Sequence, residues 1–210
     1  MKVLAVSDKV LDFLYSSSVR ENMPDVDLLI GCGDLPYYYL DFLISALDVP
    51  LYYVHGNHDG GPQYVSGRGQ LTSVQGGRDL HAGTVKYRDL LLAGLGGSMR
   101  YRSGAPYVFT ETEMRGQVAR LVPKLLWNRQ RYGRYLDILI THSPPFGIHD
   151  RKDRAHTGFK VFLNLMRIFK PRYLLHGHIH LYRQDTPRLT EYEQTSIINV
   201  YPYRLLDIDP

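Results

Sequence analysis

Only one cysteine, Cys32, occurs in the 210 residues, so no internal disulfide can form. That fits a reducing compartment. The sequence contains no apolar run of about 18 residues, the length a membrane-spanning helix needs. The opening MKVLAVSD lacks the apolar stretch and small-residue cleavage site of a secretory leader. A cytoplasmic protein without a membrane partner is therefore expected. Repeats, low-complexity tracts and linkers are also missing, and the length suits a single domain over residues 1–210 with a sizeable core. A hydrophobic content of 44% excludes extended disorder. The dinucleotide-binding glycine pattern is incomplete: Gly94-Leu95-Gly96 is followed by Met99 where the third glycine belongs, which excludes that class.

What is present is a modest surplus of positive charge, +4 overall, gathered in 129–134, 150–154 and 170–172. These clusters suit solvated faces or the wall of a pocket for an anion, and charge alone does not separate a mononucleotide from a nucleic acid. Short apolar runs alternate with helical patterns. Strands are predicted in 2–8, 26–34, 49–59, 135–145 and 172–180, a hairpin in 84–97, and two short strands in 195–209 divided by Pro202. Helices are predicted over 38–47, 110–128 and 158–169. Thr110 or Thr112 would cap the second, and Pro123 should break or kink it. The glycine-rich 58–70 stretch reads as a surface loop.

The strands repeatedly end in polar groups, at the edge where open α/β sheets bind ligands. Asp8, Asp34, Asn57-His58-Asp59, His142 and His178-Ile179-His180 all fall there. One such residue means little, but the set is a donor cluster of oxygen and imidazole without thiolate. Such a cluster suits Mn, Fe, Zn or Co in a working site.

With Gly33-Asp34, Gly56-Asn57-His58-Asp59, His142 and Gly177-His178-Ile179-His180 in this order, the sequence resembles the calcineurin-like metallophosphoesterase superfamily from residue 4 to the last strands. The resemblance implies an α/β (α+β) four-layer sandwich of two mixed sheets flanked by helices. It implies two metals, with Asp34 bridging them, Asn57, His142 and His178 completing one site, and Asp8 and His180 in the other. It further implies attack on a phosphate ester by a metal-bridging hydroxide. His58 would be the proton or hydrogen-bond donor near the leaving oxygen, and Asp59 would orient it.

The sequence departs from the family's Asp-x-His opening: Val10 stands where the histidine belongs. Water could complete that first site, another side chain could, or the site could be empty. Tyr37 is the candidate side chain, because Gly33-Asp34-Leu35-Pro36-Tyr37 matches the spacing by which purple acid phosphatases bind Fe(III) through a phenolate. Packing is the competing role for Tyr37. For the substrate, His149 and Arg151 in the loop after His142, and Arg100 beside Tyr101 and Arg102, are candidate contacts. His55 and His176 are read as packing or supporting histidines, and His81 as a loop histidine.

The expected activity is hydrolysis of a small phosphate ester, with a phosphodiester such as a nucleotide favoured. A phosphomonoesterase, a protein phosphatase and a nuclease are alternatives within the chemistry, and a non-catalytic binding module is the alternative outside it.

Overall fold

The computed structural model describes residues 1–65, 67, 69–182 and 187–209. Two mixed sheets face each other. One has five strands in the order Tyr203–Asp207, Lys2–Val6, Leu28–Gly31, Leu51–Tyr53, Gly77–Asp79; only its first pair is antiparallel. The other has six, in the order Leu189–Tyr192, Thr195–Asn199, Tyr173–His176, Ile138–Thr141, Leu90–Leu95, Gly83–Tyr87. Its outermost pairs are antiparallel and its centre parallel.

Period-two alternation sorts the side chains. Val3 and Ala5 point between the sheets, where they meet Leu90, Leu92, Ile138 and Ile140. Leu4 and Val6 point outward, with Leu29 and Leu51, onto Leu40 and Leu43 of the Tyr37–Leu47 helix. On the far side, Leu91, Ala93 and Leu139 meet Met114, Leu121 and Leu125 of the Glu111–Tyr132 helix and Phe162 of the Lys160–Phe169 helix. Helix, sheet, sheet and helix form four layers, because each sheet is apolar on both faces and must be covered on both.

Three local expectations are refined. Thr110, not Thr112, caps its helix, in a reciprocal box with Glu113. That helix continues through Pro123 to Tyr132. Proline costs its own amide donor there, but Met114, Val118, Leu121 and Leu125 bury both sides of the interruption, and this packing holds the two halves in one element. The 58–70 stretch includes a small ribbon pairing Gln63–Val65 with Gly69–Leu71. No described helix is long and apolar enough to cross a membrane.

Candidate metal centre

The candidate ligands leave the C-terminal ends of parallel strands from both sheets, so facing loops converge on one edge. Asp8 follows Lys2–Val6, Asp34 follows Leu28–Gly31, Asn57 follows Leu51–Tyr53, His142 follows Ile138–Thr141, and His178 and His180 follow Tyr173–His176. Asp8, Asp34 and His178 all have positive φ, 62°, 56° and 64°. Left-handed backbone is costly for residues with a Cβ, and it clusters at working sites. Here it turns each ligand back toward the others.

Glycines make room for this. A Cβ on Gly56 would lie 2.1 Å from Asp34 Oδ1, and one on Gly177 would lie 2.5 Å from Asp8 Oδ2. Neither carboxylate could then keep its place.

Asp34, His142 and His178 each offer a donor atom within 4.8 Å of the others. His142 is wholly buried, with Nε2 3.3 Å from Asp34 Oδ2 and 3.1 Å from Asn57 Oδ1. Its Nδ1 donates to the Cys32 carbonyl at 2.8 Å, which leaves Nε2 as the neutral ring's donor atom toward the cluster. Asp34 Oδ1 accepts the His58 backbone N–H at 2.8 Å. Beside this group, Asp8 Oδ2 accepts the His178 backbone N–H at 2.9 Å, and Asp8 Oδ1 lies 3.4 Å from His180 Nε2. His180 is oriented by Tyr182, whose hydroxyl is 3.1 Å from Nδ1, and by stacking on Tyr201 at 4.4 Å between centroids.

The electrostatics fit a cation. Burial opposes charge on His142, yet Asp34 and Asp8 outweigh it and push the imidazole up to about 10. Asp34 is held low: burial works against ionisation, but His142 and the His58 N–H prevail. His176 is equally buried but lacks a carboxylate neighbour. Burial, reinforced by His149, pushes it down to about 3. His178, itself in the cluster, is also pushed down, to about 4, by burial and by His142, so the carboxylates prevail at His142 and not at every histidine there. Donor chemistry, convergence and charge all suit transition-metal ions held by Asp8, Asp34, Asn57, His142, His178 and His180.

The cluster opens into a cleft of about 480 Å³ lined by Asp8, Asp34, Asn57, His58, Tyr101, Ala155, His156, His178 and His180. The His58 side chain is exposed at its rim. Asp59 sits elsewhere than expected. Its buried Oδ2 accepts the backbone N–H groups of Gly56 at 2.7 Å and Asp34 at 2.9 Å, so it braces the ligand loops. Burial and then Asp34 push its carboxyl up to about 6. Successive side chains on this turn diverge, which puts Asp59 inside and His58 outside.

Tyr37 is also placed away from the cleft. It is buried among the apolar residues beneath its helix, and its hydroxyl donates to the Asp59 carbonyl at 3.2 Å. Burial and then the Asp59 charge raise its pKa, the direction opposite to a phenolate. Val10 packs, partly buried, against the same apolar cluster. Arg100 is likewise elsewhere: it pairs with Glu113 at 2.7 Å. Its neighbour Tyr101 reaches the cleft, with its hydroxyl 3.4 Å from Asn57 Nδ2. His149 and Arg151 line an adjoining cavity. His156, a loop histidine of the same segment, reaches the metal cleft, and the Ala155 carbonyl lies 2.9 Å from His178 Nε2.

His55 and His81 are supporting residues. His55 stacks on Tyr107 at 4.4 Å, and His81 accepts the Gly96 N–H at 3.1 Å.

Solved structures share this architecture. One crystal structure aligns over 95% of this chain and 90% of its own, with a TM-score of 0.63 and 16% identity. The TT1561 protein of Thermus thermophilus aligns over 95% of this chain and 88% of its own, at 0.59 and 16%. The phosphopantetheinyl hydrolase of Mycobacterium tuberculosis aligns over 100% of this chain and 96% of its own, also at 0.59 and 16%. At that identity the likeness establishes the fold alone. No curated protein matches the chain. Residues 4–182 match the family described as calcineurin-like phosphoesterase, and this span contains every ligand named above; the chain belongs to that family.

Proposed function

We propose that the protein is a dinuclear metal-dependent phosphoesterase that prefers phosphodiesters. The observation that carries this reading is the meeting of Asp34, His142 and His178 donor atoms within 4.8 Å, with the Asp8–His180 pair alongside, at the floor of an open cleft. Bound there, two cations would lower the pKa of a water and neutralise phosphoryl oxygens. The chain's own residues supply the rest. Asp59 fixes the backbone of Asp34 and Gly56, so both ligand loops keep their geometry as charge changes above them. His58 and His156, at the cleft wall, offer imidazole N–H groups to a phosphoryl or leaving oxygen. Tyr101 holds the Asn57 amide toward His142.

The diester preference rests on charge. Among the described residues, no lysine or arginine lines the metal cleft. A diester carries one negative charge; a monoester near neutrality approaches two and would gain more from a fixed cation. The gap left by Val10 is completed by solvent in this reading, since Tyr37 is engaged behind Asp59. A cytoplasmic setting and a small phosphate-ester substrate are further parts of the proposal, supported by the lone buried Cys32 and the compact cleft.

Hydrolysis of bis(p-nitrophenyl) phosphate by protein loaded with Mn, Fe, Zn or Co tests the reading. Turnover should appear with at least one metal and be abolished in His178→Ala. Turnover equal to that variant's with all four metals overturns it.

A further inference from the structure

A second cavity of about 480 Å³ adjoins the metal cleft, and His180 lines both. Its character is different. Ile148, Ile179, Tyr182 and Pro187 give it apolar walls. Two of its polar side chains, His149 and Thr190, satisfy one another: His149 Nε2 lies 2.9 Å from the Thr190 hydroxyl. On its other side, His149 Nδ1 lies 2.9 Å from His176 Nε2. Because His176 Nδ1 faces the Gly177 carbonyl at 2.9 Å, donation runs in one direction. His176 donates to Gly177, His149 to His176, and Thr190 to His149. These bonds fix that part of the wall and pair His149 with Thr190; Asp150 and Arg151 line its rim.

The wall is also preformed. His149 holds a left-handed φ of 60°, Asp150 accepts the Gly158 N–H at 3.0 Å, and the Arg151 guanidinium donates to the His180 carbonyl at 2.7 Å. The volume lies within the roughly 300–1,000 Å³ typical of small-molecule sites.

We propose that this cavity is the subsite for an apolar alkyl or aryl arm of the phosphate ester, entering directly from the phosphate held in the metal cleft. The inference rests on the phosphoesterase reading for the position of the phosphate. The shared His180 wall means an arm needs no polar spacer to pass from one cavity to the other. A mostly apolar surface rewards removal of hydrocarbon from water, and His149 and Thr190 on it are already paired with each other.

The test is calorimetric binding of the methyl and hexyl monoesters of methylphosphonic acid, whose alkoxides are poor leaving groups, to the metal-loaded full chain. Wild type should bind the hexyl ester at least roughly tenfold tighter, since five added methylenes leave water. The ratio should collapse toward one in Ile148→Asp and in Pro187→Glu; the latter lies at an exposed position where folding is not at stake. Equal binding of the two esters by wild type, or a preference that survives both variants, overturns the proposal. A nucleoside ester of the same acid that binds tighter than the hexyl ester also overturns it, in favour of a polar arm. If diester turnover fails while the chain-length preference stands, the phosphoesterase reading falls and the subsite survives. If turnover appears without the preference, the phosphoesterase reading stands and the subsite falls.

Discussion

The two halves of the candidate metal centre are built differently. Around Asp34, the His142 side chain is wholly buried, Asn57 and His178 are nearly so, and ring nitrogens are tied to the carbonyls of Cys32 and Ala155. Around Asp8, the partner His180 is 38% exposed, and the residue that would have supplied an imidazole is Val10, turned into the apolar cluster. A buried, pre-oriented donor set loses little entropy on binding, whereas an open set with fewer protein donors leaves positions to water. One centre can thus hold two cations with unequal grip, and the missing histidine weakens one coordination position without dismantling the site.

Removing one ligand from each half separates them most strongly. His142→Ala should remove tightly held metal and reduce diester turnover by about 10³-fold. His180→Ala should spare the tight cation and release the weaker one. Elemental analysis after graded chelation reads both, and equal metal loss in the two variants would break the distinction. Next, Gly177→Ala should displace Asp8, whose Oδ2 a Cβ would meet at 2.5 Å, and should cost roughly 10–100-fold in affinity for the weaker cation. Unchanged affinity would show that the Gly177 cradle is not needed.

Tyr37→Phe should leave metal content intact and cost about 1 kcal/mol of stability through its lost hydrogen bond. Iron-loaded wild type should lack a tyrosinate absorption band that the variant removes; a band dependent on Tyr37 would reassign it as a ligand. A subtler change concerns His176, the buried histidine outside the carboxylate field. Its imidazole is held down to about 3, whereas in the unfolded chain it titrates near 6.5. The native state therefore binds fewer protons between those values. His176's contribution to stability should be complete above pH 6.5 and decline as pH falls toward 3. In denaturant melts, His176→Gln should flatten that part of the profile.

Much of this was legible in the sequence because each ligand ends a parallel strand, where a polar residue after an apolar run stands out. Asp8, Asp34, Asn57, His142, His178 and His180 are marked in that way and by the spacing around them, and the structure brings them together. The apolar runs mark the strands, whereas the four layers follow from the family resemblance and not from periodicity. Other parts leave no such mark. The Ala155 and Cys32 carbonyls act through backbone, which has no residue signature. Tyr37 has the spacing of a ligand, but it also opens a helix whose buried face claims it. The role of Asp59 depends on which way a turn points its side chains. Arg100 and Tyr101 are neighbours whose directions only the short strand at Ser98–Met99 and the Glu113 partner decide.

Metal titration of the apo-protein, with diester turnover followed in the same samples, bears on the proposed unequal two-cation centre without an intermediary. Two cations per chain should bind in separate steps, with turnover rising only as the second, weaker one fills, and neither step should survive Asp34→Asn. Full turnover without metal, or binding and turnover unaffected by Asp34→Asn, would contradict the dinuclear centre.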